Sequence, residues 1–187
     1  MKSLRIIIPL IIIALILICA LIYFLRNAKA RNVPAPKVYE GTLIEFNHNP
    51  GYGDENGAIH DECLKRNDSG EWIIESRDLE CIGEPMIVTT YEVSSDDVLT
   101  FETFVKESGI LDLQDRPESD EFMTDYRPWN YIFAFDESAT GGSKREYYSF
   151  SQYLMYSDKD FALIKELEER FKALQGKVIS TRKEKDY

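Results

Sequence analysis

Trp129-Asn130-Tyr131-Ile132-Phe133-Ala134-Phe135 is the stretch on which the fold turns. Aromatic residues fall on every second position, which predicts a β-strand with Trp129, Tyr131, Phe133 and Phe135 on one face. Thr140-Gly141-Gly142-Ser143 turns the chain back into a partner strand from Glu146 to Gln152. Beyond that hairpin, Ser157 is placed to cap a helix, with Asp160 three residues later. Leu163, Ile164, Leu167, Phe171 and Leu174 then recur at helical spacing, and Gly176 ends the run. The four strand aromatics are read as core against this helical stripe.

Upstream, the same signals repeat. Ser94 or Ser95 opens a helix with Asp96 and Asp97 in its first turn, where the helix dipole favours negative charge. Val98, Phe101, Phe104 and Val105 share a side, and Gly109-Ile110 closes it. Before it come predicted strands over Val38 to Asn47, Ala58 to Arg66, Glu71 to Glu80 and Pro85 to Val93. Asn67-Asp68-Ser69-Gly70 turns the second of these into the third. Leu111 to Arg127 reads as an irregular acidic stretch. The order β-β-β-β-α-β-β-α has hairpins and no βαβ alternation. It predicts an α+β fold: a mostly antiparallel sheet of about six strands with two helices on one face.

The layout from Ser94 to Leu174 resembles uncharacterised small α+β domains on membrane- or lipid-anchored proteins of Gram-positive bacteria. The features that carry it are the capped helix ending in Gly109-Ile110, the polar loop, the strand led by Trp129, the glycine turn and the closing helix. The resemblance covers under half of the chain. It implies an exported domain and carries over no functional residue.

The N-terminus is of another kind. Ile6 to Leu25 (IIIPLIIIALILICALIYFL) is twenty residues without a charge. As a helix it would be about 30 Å long, the thickness of a bilayer's hydrocarbon core. Residues 1–26 are therefore read as a transmembrane signal-anchor. Residues 27–37, with Pro34 and Pro36, form a stalk, residues 38–176 the folded domain, and residues 177–187 a polar tail that frays. Cleavage after Ala30, in the small-x-small sequence Ala28-Lys29-Ala30, is the rival reading. The apolar run is longer than the usual 7–15 residues of a signal peptide. Basic residues flank both ends of the run, so the positive-inside rule is nearly balanced. The domain is placed outside because an apolar segment ahead of a folded domain commonly acts as an export signal.

All five charged residues in positions 1–31 are basic. Taking them from totals of 22 basic and 33 acidic residues leaves 17 against 33, a charge of −16 for the remainder. Such a domain repels phosphate backbones, which disfavours nucleic acid as a partner. The expected partners are the lipid bilayer, through residues 6–25, and a protein, peptide or glycan ligand.

Candidate chemistry is sparse. Cys63 and Cys81 are an even pair that an exported domain could join in a disulfide, or two buried thiols. His48, His60, Cys63 and Cys81 lack zinc-site spacing. Asp54-x-Asn56-Gly57 lacks the order of a calcium loop, and the acidic run Glu118, Asp120, Glu121 and Asp125 reads as solvated. There is no G-x-S-x-G. The sequence thus assigns no catalytic residue, no cofactor and no metal ligand. Tyr126, Tyr148 and Tyr153 are the candidates for an outward aromatic binding surface. The function so predicted is a membrane-tethered extracytoplasmic binding or structural module. A carboxylate-dependent hydrolase at the cell surface is the alternative.

Overall fold

The computed structural model describes residues 37–51, 58–119, 128–137 and 145–185. The 1–26 segment, Tyr126, the Asp54-x-Asn56-Gly57 stretch and the Gly141-Gly142 turn lie outside the described residues. The chain divides into two units, Met1–Lys37 and Val38–Tyr187, and every named element belongs to the second. Among the described residues no helix is long and apolar enough to cross a membrane.

The strands are β1 (Thr42–Asn49), β2 (Ile59–Arg66), β3 (Trp72–Leu79), β4 (Met86–Glu92), β5 (Asn130–Asp136), β6 (Arg145–Ser151) and β7 (Val178–Glu184). The helices are α1 (Ser95–Glu107) and α2 (Asp158–Ala173), with a 3₁₀ turn at Ile110–Asp115. All seven strands form one antiparallel sheet in the order β6-β5-β1-β2-β3-β4-β7. The fold is α+β, as read from the sequence, but two expectations need correction. The sheet has seven strands rather than about six, because the tail beyond Lys177 does not fray: it adds to β4 as β7. The acidic stretch after Gly109 also begins with an ordered 3₁₀ turn that buries Ile110, Leu111 and Leu113.

Strand pairing sorts the side chains into rows across one face of the sheet. One row runs Tyr148, Phe133, Phe46, Leu64, Ile74, Tyr91 and Val178, from β6 to β7. Its central members are fully buried. Both helices cover this part of the face: the Phe46 ring lies 5.4 Å from Phe101 of α1 and 4.7 Å from Phe171 of α2. An irregularity between Leu43 and Glu45 lets Leu43 and Phe46, three apart, both bury. A buried aromatic of this size contributes up to about 3 kcal/mol through lost water contact. The strand aromatics Tyr131, Phe133 and Phe135 are buried in this core, with Trp129 packed at its margin.

The local signals behave as their chemistry dictates. Ser157 and Asp160 form a reciprocal capping box at the start of α2. Asp160 also takes two hydrogen bonds from Arg116, at 2.6 and 3.2 Å, tying α2 to the end of the 3₁₀ turn. The Asn67 side chain accepts from the Ser69 and Glu71 amides and shapes the β2–β3 turn. Gly109 sits at φ 84°, a left-handed backbone that glycine adopts without strain.

Cys63 and Cys81 are both thiols, not a disulfide. Cys63 pairs with Glu75, and β3 then carries the chain four residues, about 13 Å, to Leu79 before the turn holding Cys81. A disulfide needs Cα atoms within about 7 Å.

Candidate functional site: a histidine–carboxylate groove

One step along the strands from the apolar row, the same face turns polar. This second row reads Phe150, Tyr131, His48, Glu62, Ser76, Thr89 and Thr181. A third step, on β2, β3, β4 and β7, reads His60, Asp78, Ile87 and Lys183. The face therefore grades from apolar to polar to charged over two residue steps. Where the C-terminal half of α2 meets these rows lies a groove of about 520 Å³. Its floor includes His48, His60, Glu62, Ser76, Asp78 and Tyr91; Glu168, Phe171, Lys172 and Gln175 bound it from the helix side.

Both histidines of the chain enter this site and share one carboxylate. His48 Nδ1 lies 3.1 Å from Glu62 Oε2, and His60 Nε2 lies 3.7 Å from the same oxygen. Gln175 Nε2 donates to Glu62 Oε1 at 2.6 Å, bringing in the segment that follows α2. On its other side His60 Nδ1 contacts Asp78, whose second oxygen accepts from Ser76 Oγ at 3.0 Å. Tyr131 Oη donates to Glu168. The imidazole of His48 stacks on Tyr131 at 5.0 Å, and its Nε2 is buried with no hydrogen-bond partner among the described residues. Glu62 is thus the hub of a network joining β1, β2 and the link from α2 to β7.

The electrostatics follow from this wiring. The Glu62 carboxylate, with Asp78 behind it, holds His60 up at about 9, although burial of the ring works the other way. For Glu62, burial alone would raise the carboxyl. The His48 and His60 contacts outweigh it and hold the group down at about 2. At neutral pH the site therefore contains a charged His60 beside a charged Glu62.

A second, smaller pocket of about 350 Å³ shares His48 and Glu62 and is otherwise lined by Asn47, Cys63, Glu75, Arg77 and neighbours. There Glu75 is bound by Lys65, Arg77 and Arg182, an ion network across β2, β3 and β7. Burial pushes the Cys63 thiol up to about 11. Among the described residues no three His, Cys, Asp or Glu side chains are arranged to hold a metal ion.

The aromatic residues chosen from the sequence are not gathered here. Tyr148 packs edge-on against Tyr39 and Phe135, with its hydroxyl on Glu146 at 2.9 Å. Tyr153 is 43% exposed in the turn after β6. Tyr126 lies outside the described residues. What the sequence reading missed is the His48–Glu62 pair. Its signal was parity: Phe46 and His48 share one side of β1, and Glu62 and Leu64 share one side of β2. Comparison with protein-family models, curated proteins and solved structures finds no match for this chain.

Proposed function

We propose that this chain is a non-enzymatic binding or structural module, tethered through residues 6–25 to a cytoplasmic membrane with its folded domain on the outer side. The observation that supports binding is the groove itself, a concave site of ligand-binding size whose polar groups are already oriented by one another. Its carboxylates fit recognition better than acid–base work. Glu62 accepts from His48 and Gln175, Asp78 from Ser76, and Glu168 from Tyr131. A general acid needs a pKa near the working pH, whereas Glu62 is held at about 2. This weighs against the carboxylate-dependent hydrolase.

Tethering rests on the twenty uncharged residues from Ile6 to Leu25. The domain begins at Val38 and β1 at Thr42, and His48 lies six residues, about 20 Å, further along β1 than Thr42. The groove's outer row thus lies toward the end of the sheet where β1 finishes. Fractionation of cells expressing the full chain tests the anchor: it should stay in the membrane pellet through an alkaline carbonate wash. A soluble mature chain beginning at Arg31 would end the tethering reading. Protease added to intact cells should trim the domain; resistance until the membrane is broken would reverse the orientation.

A further inference from the structure

The outer surface of the two helices carries a second concave site. α1 and α2 pack closely enough to bring the buried rings of Phe101 and Phe171 to 6.0 Å. Between their outer faces lies a cleft of about 650 Å³, larger than the histidine groove. Phe104 and Leu163, both half-buried, supply its apolar surface. Thr100 and Thr103 line it too, but their hydroxyls are spent within α1, on the Asp96 and Leu99 carbonyls at 3.0 and 2.8 Å. Arg170 lies 4.4 Å over the Phe104 ring, and Glu166 takes its charge through two hydrogen bonds at 2.7 and 2.9 Å. Glu107 is different. It is exposed on the cleft and, among the described residues, has no hydrogen bond or ion pair. It also stands in the last turn of α1, where the helix dipole disfavours a negative charge. Its neighbour Lys106 does not neutralise it: that ammonium donates to Gly41 and Glu102 instead. An acid that opposes its own helix dipole and has no partner breaks a local rule without a gain inside the fold. Its carboxylate and the carbonyls that end α1 together offer a cation a negative spot beside an apolar floor.

We propose that this cleft docks a cationic amphipathic helix of a partner protein, with an apolar ridge on Phe104 and Leu163 and a lysine or arginine against Glu107. The size fits. The lining runs from Thr100 to Ser108 on α1 and from Leu163 to Arg170 on α2, about 12 and 10 Å, or about two turns of each helix. A third helix enters such a furrow with residues at i, i+3, i+4 and i+7. Charge selects the partner: a second copy, or an anionic lipid surface, would meet a domain of charge −16. The cleft shares no residue with the histidine groove, and its occupant is independent of what that groove binds. The test uses the full chain in phosphatidylcholine nanodiscs and three fluorescent peptides of about 14 residues, about four helical turns. Anisotropy reports binding, with empty nanodiscs as the blank. One peptide is leucine–lysine in the helical pattern; one has the same composition with leucine at every second position; one is leucine–glutamate in the helical pattern. The first should bind saturably, at least tenfold tighter than either of the others. Glu107→Lys and Leu163→Gln should each weaken it tenfold or more. Glu107→Lys should leave the urea midpoint at least as high, because lysine suits that end of a helix, so its lost binding is not lost folding. Asp68→Lys, the same charge change on the β2–β3 turn, should alter affinity less than threefold. An equal loss in Asp68→Lys would mean diffuse attraction to an acidic domain and would overturn the proposal. Equal binding of the alternating or the acidic peptide, or silence from all three, would do the same. So would a dimer of the chain in sedimentation that Leu163→Gln abolishes, which gives the cleft to a second copy.

Discussion

Replacing Glu62 by glutamine tests whether the groove's wiring is what holds this end of the sheet together. Glu62 is 9% exposed and receives His48, His60 and Gln175 at once. Its carboxyl is held at about 2 against an ordinary 4.5, a difference corresponding to about 3 kcal/mol of preference for the charged form in the fold. The raised His60 reports the same contact from the other side, so the two are not added. Glutamine keeps the shape and leaves an oxygen for His48. The expected loss is therefore smaller, about 2 kcal/mol at pH 7. The assay is urea unfolding of the full chain in detergent, read by the fluorescence of Trp72 and Trp129. The pH course fixes the cause. A carboxylate with a depressed pKa stabilises fully above about 4.5 and loses that contribution as pH falls toward about 2. The gap between wild type and Glu62→Gln should thus be full at pH 6 and shrink through that acid window. On the alkaline side the raised His60 contributes fully below 6.5 and loses its share as pH rises through about 9. A gap that is absent at pH 6, or equally large at pH 3, would refute the reasoning.

Phe46→Ala empties the centre of the aromatic cluster and should cost about 3–5 kcal/mol, read as a lowered urea midpoint with the slope retained. Cys63, with its thiol pushed up to about 11, should react with a thiol reagent at pH 8 much more slowly than after unfolding, and mild oxidation should leave no Cys63–Cys81 bond by mass spectrometry. Gly176→Ala would set a Cβ 2.5 Å from the Glu92 carbonyl oxygen, where the Gly176 amide now donates at 3.1 Å. Amide exchange should then accelerate across Val178–Glu184 while β1 and β5 stay protected.

The elements legible in the sequence are those whose burial is periodic. β5 announces itself because Tyr131, Phe133 and Phe135 all face the core, and α2 because Ile164, Leu167 and Phe171 do. β7 announces nothing. Val178 and Ile179 are about half exposed, and the strand is held by backbone pairing to β4, by Arg182 on Glu75 and by Arg77 on Glu184. A strand that buries no side chain leaves no pattern to read. The 3₁₀ turn hid for the opposite reason: Ile110, Leu111 and Leu113 bury at a spacing that fits neither helix nor strand, among acidic neighbours. The site was half visible. His48 and Glu62 occupy inward positions on strands whose other inward residues are Phe46 and Leu64. A polar residue at such a position needs a partner. Which partner depends on β1 lying between β5 and β2, a pairing set by distant segments and written in no local stretch.

The place of the groove follows from a mismatch between the two layers. Seven strands about 4.8 Å apart make a sheet about 29 Å wide, whereas two helices about 10 Å across cover about 20 Å of it. The helices settle over the strands with the largest apolar residues, β5, β1 and the inner parts of β2 and β3, because that is where burial gains most. What stays uncovered is the β4–β7 side, where Ile87 and Thr89 are only partly buried and Thr181 and Lys183 are exposed. A polar row can survive there beside a dry core, because water still reaches its outer end and satisfies what the protein does not. Without β7 the sheet would be about 5 Å narrower, and β4 would present an open edge. The strand that the sequence conceals is therefore the one that covers the β4 edge, and its lysine and arginine side chains guard the sheet's new edge against pairing with another chain.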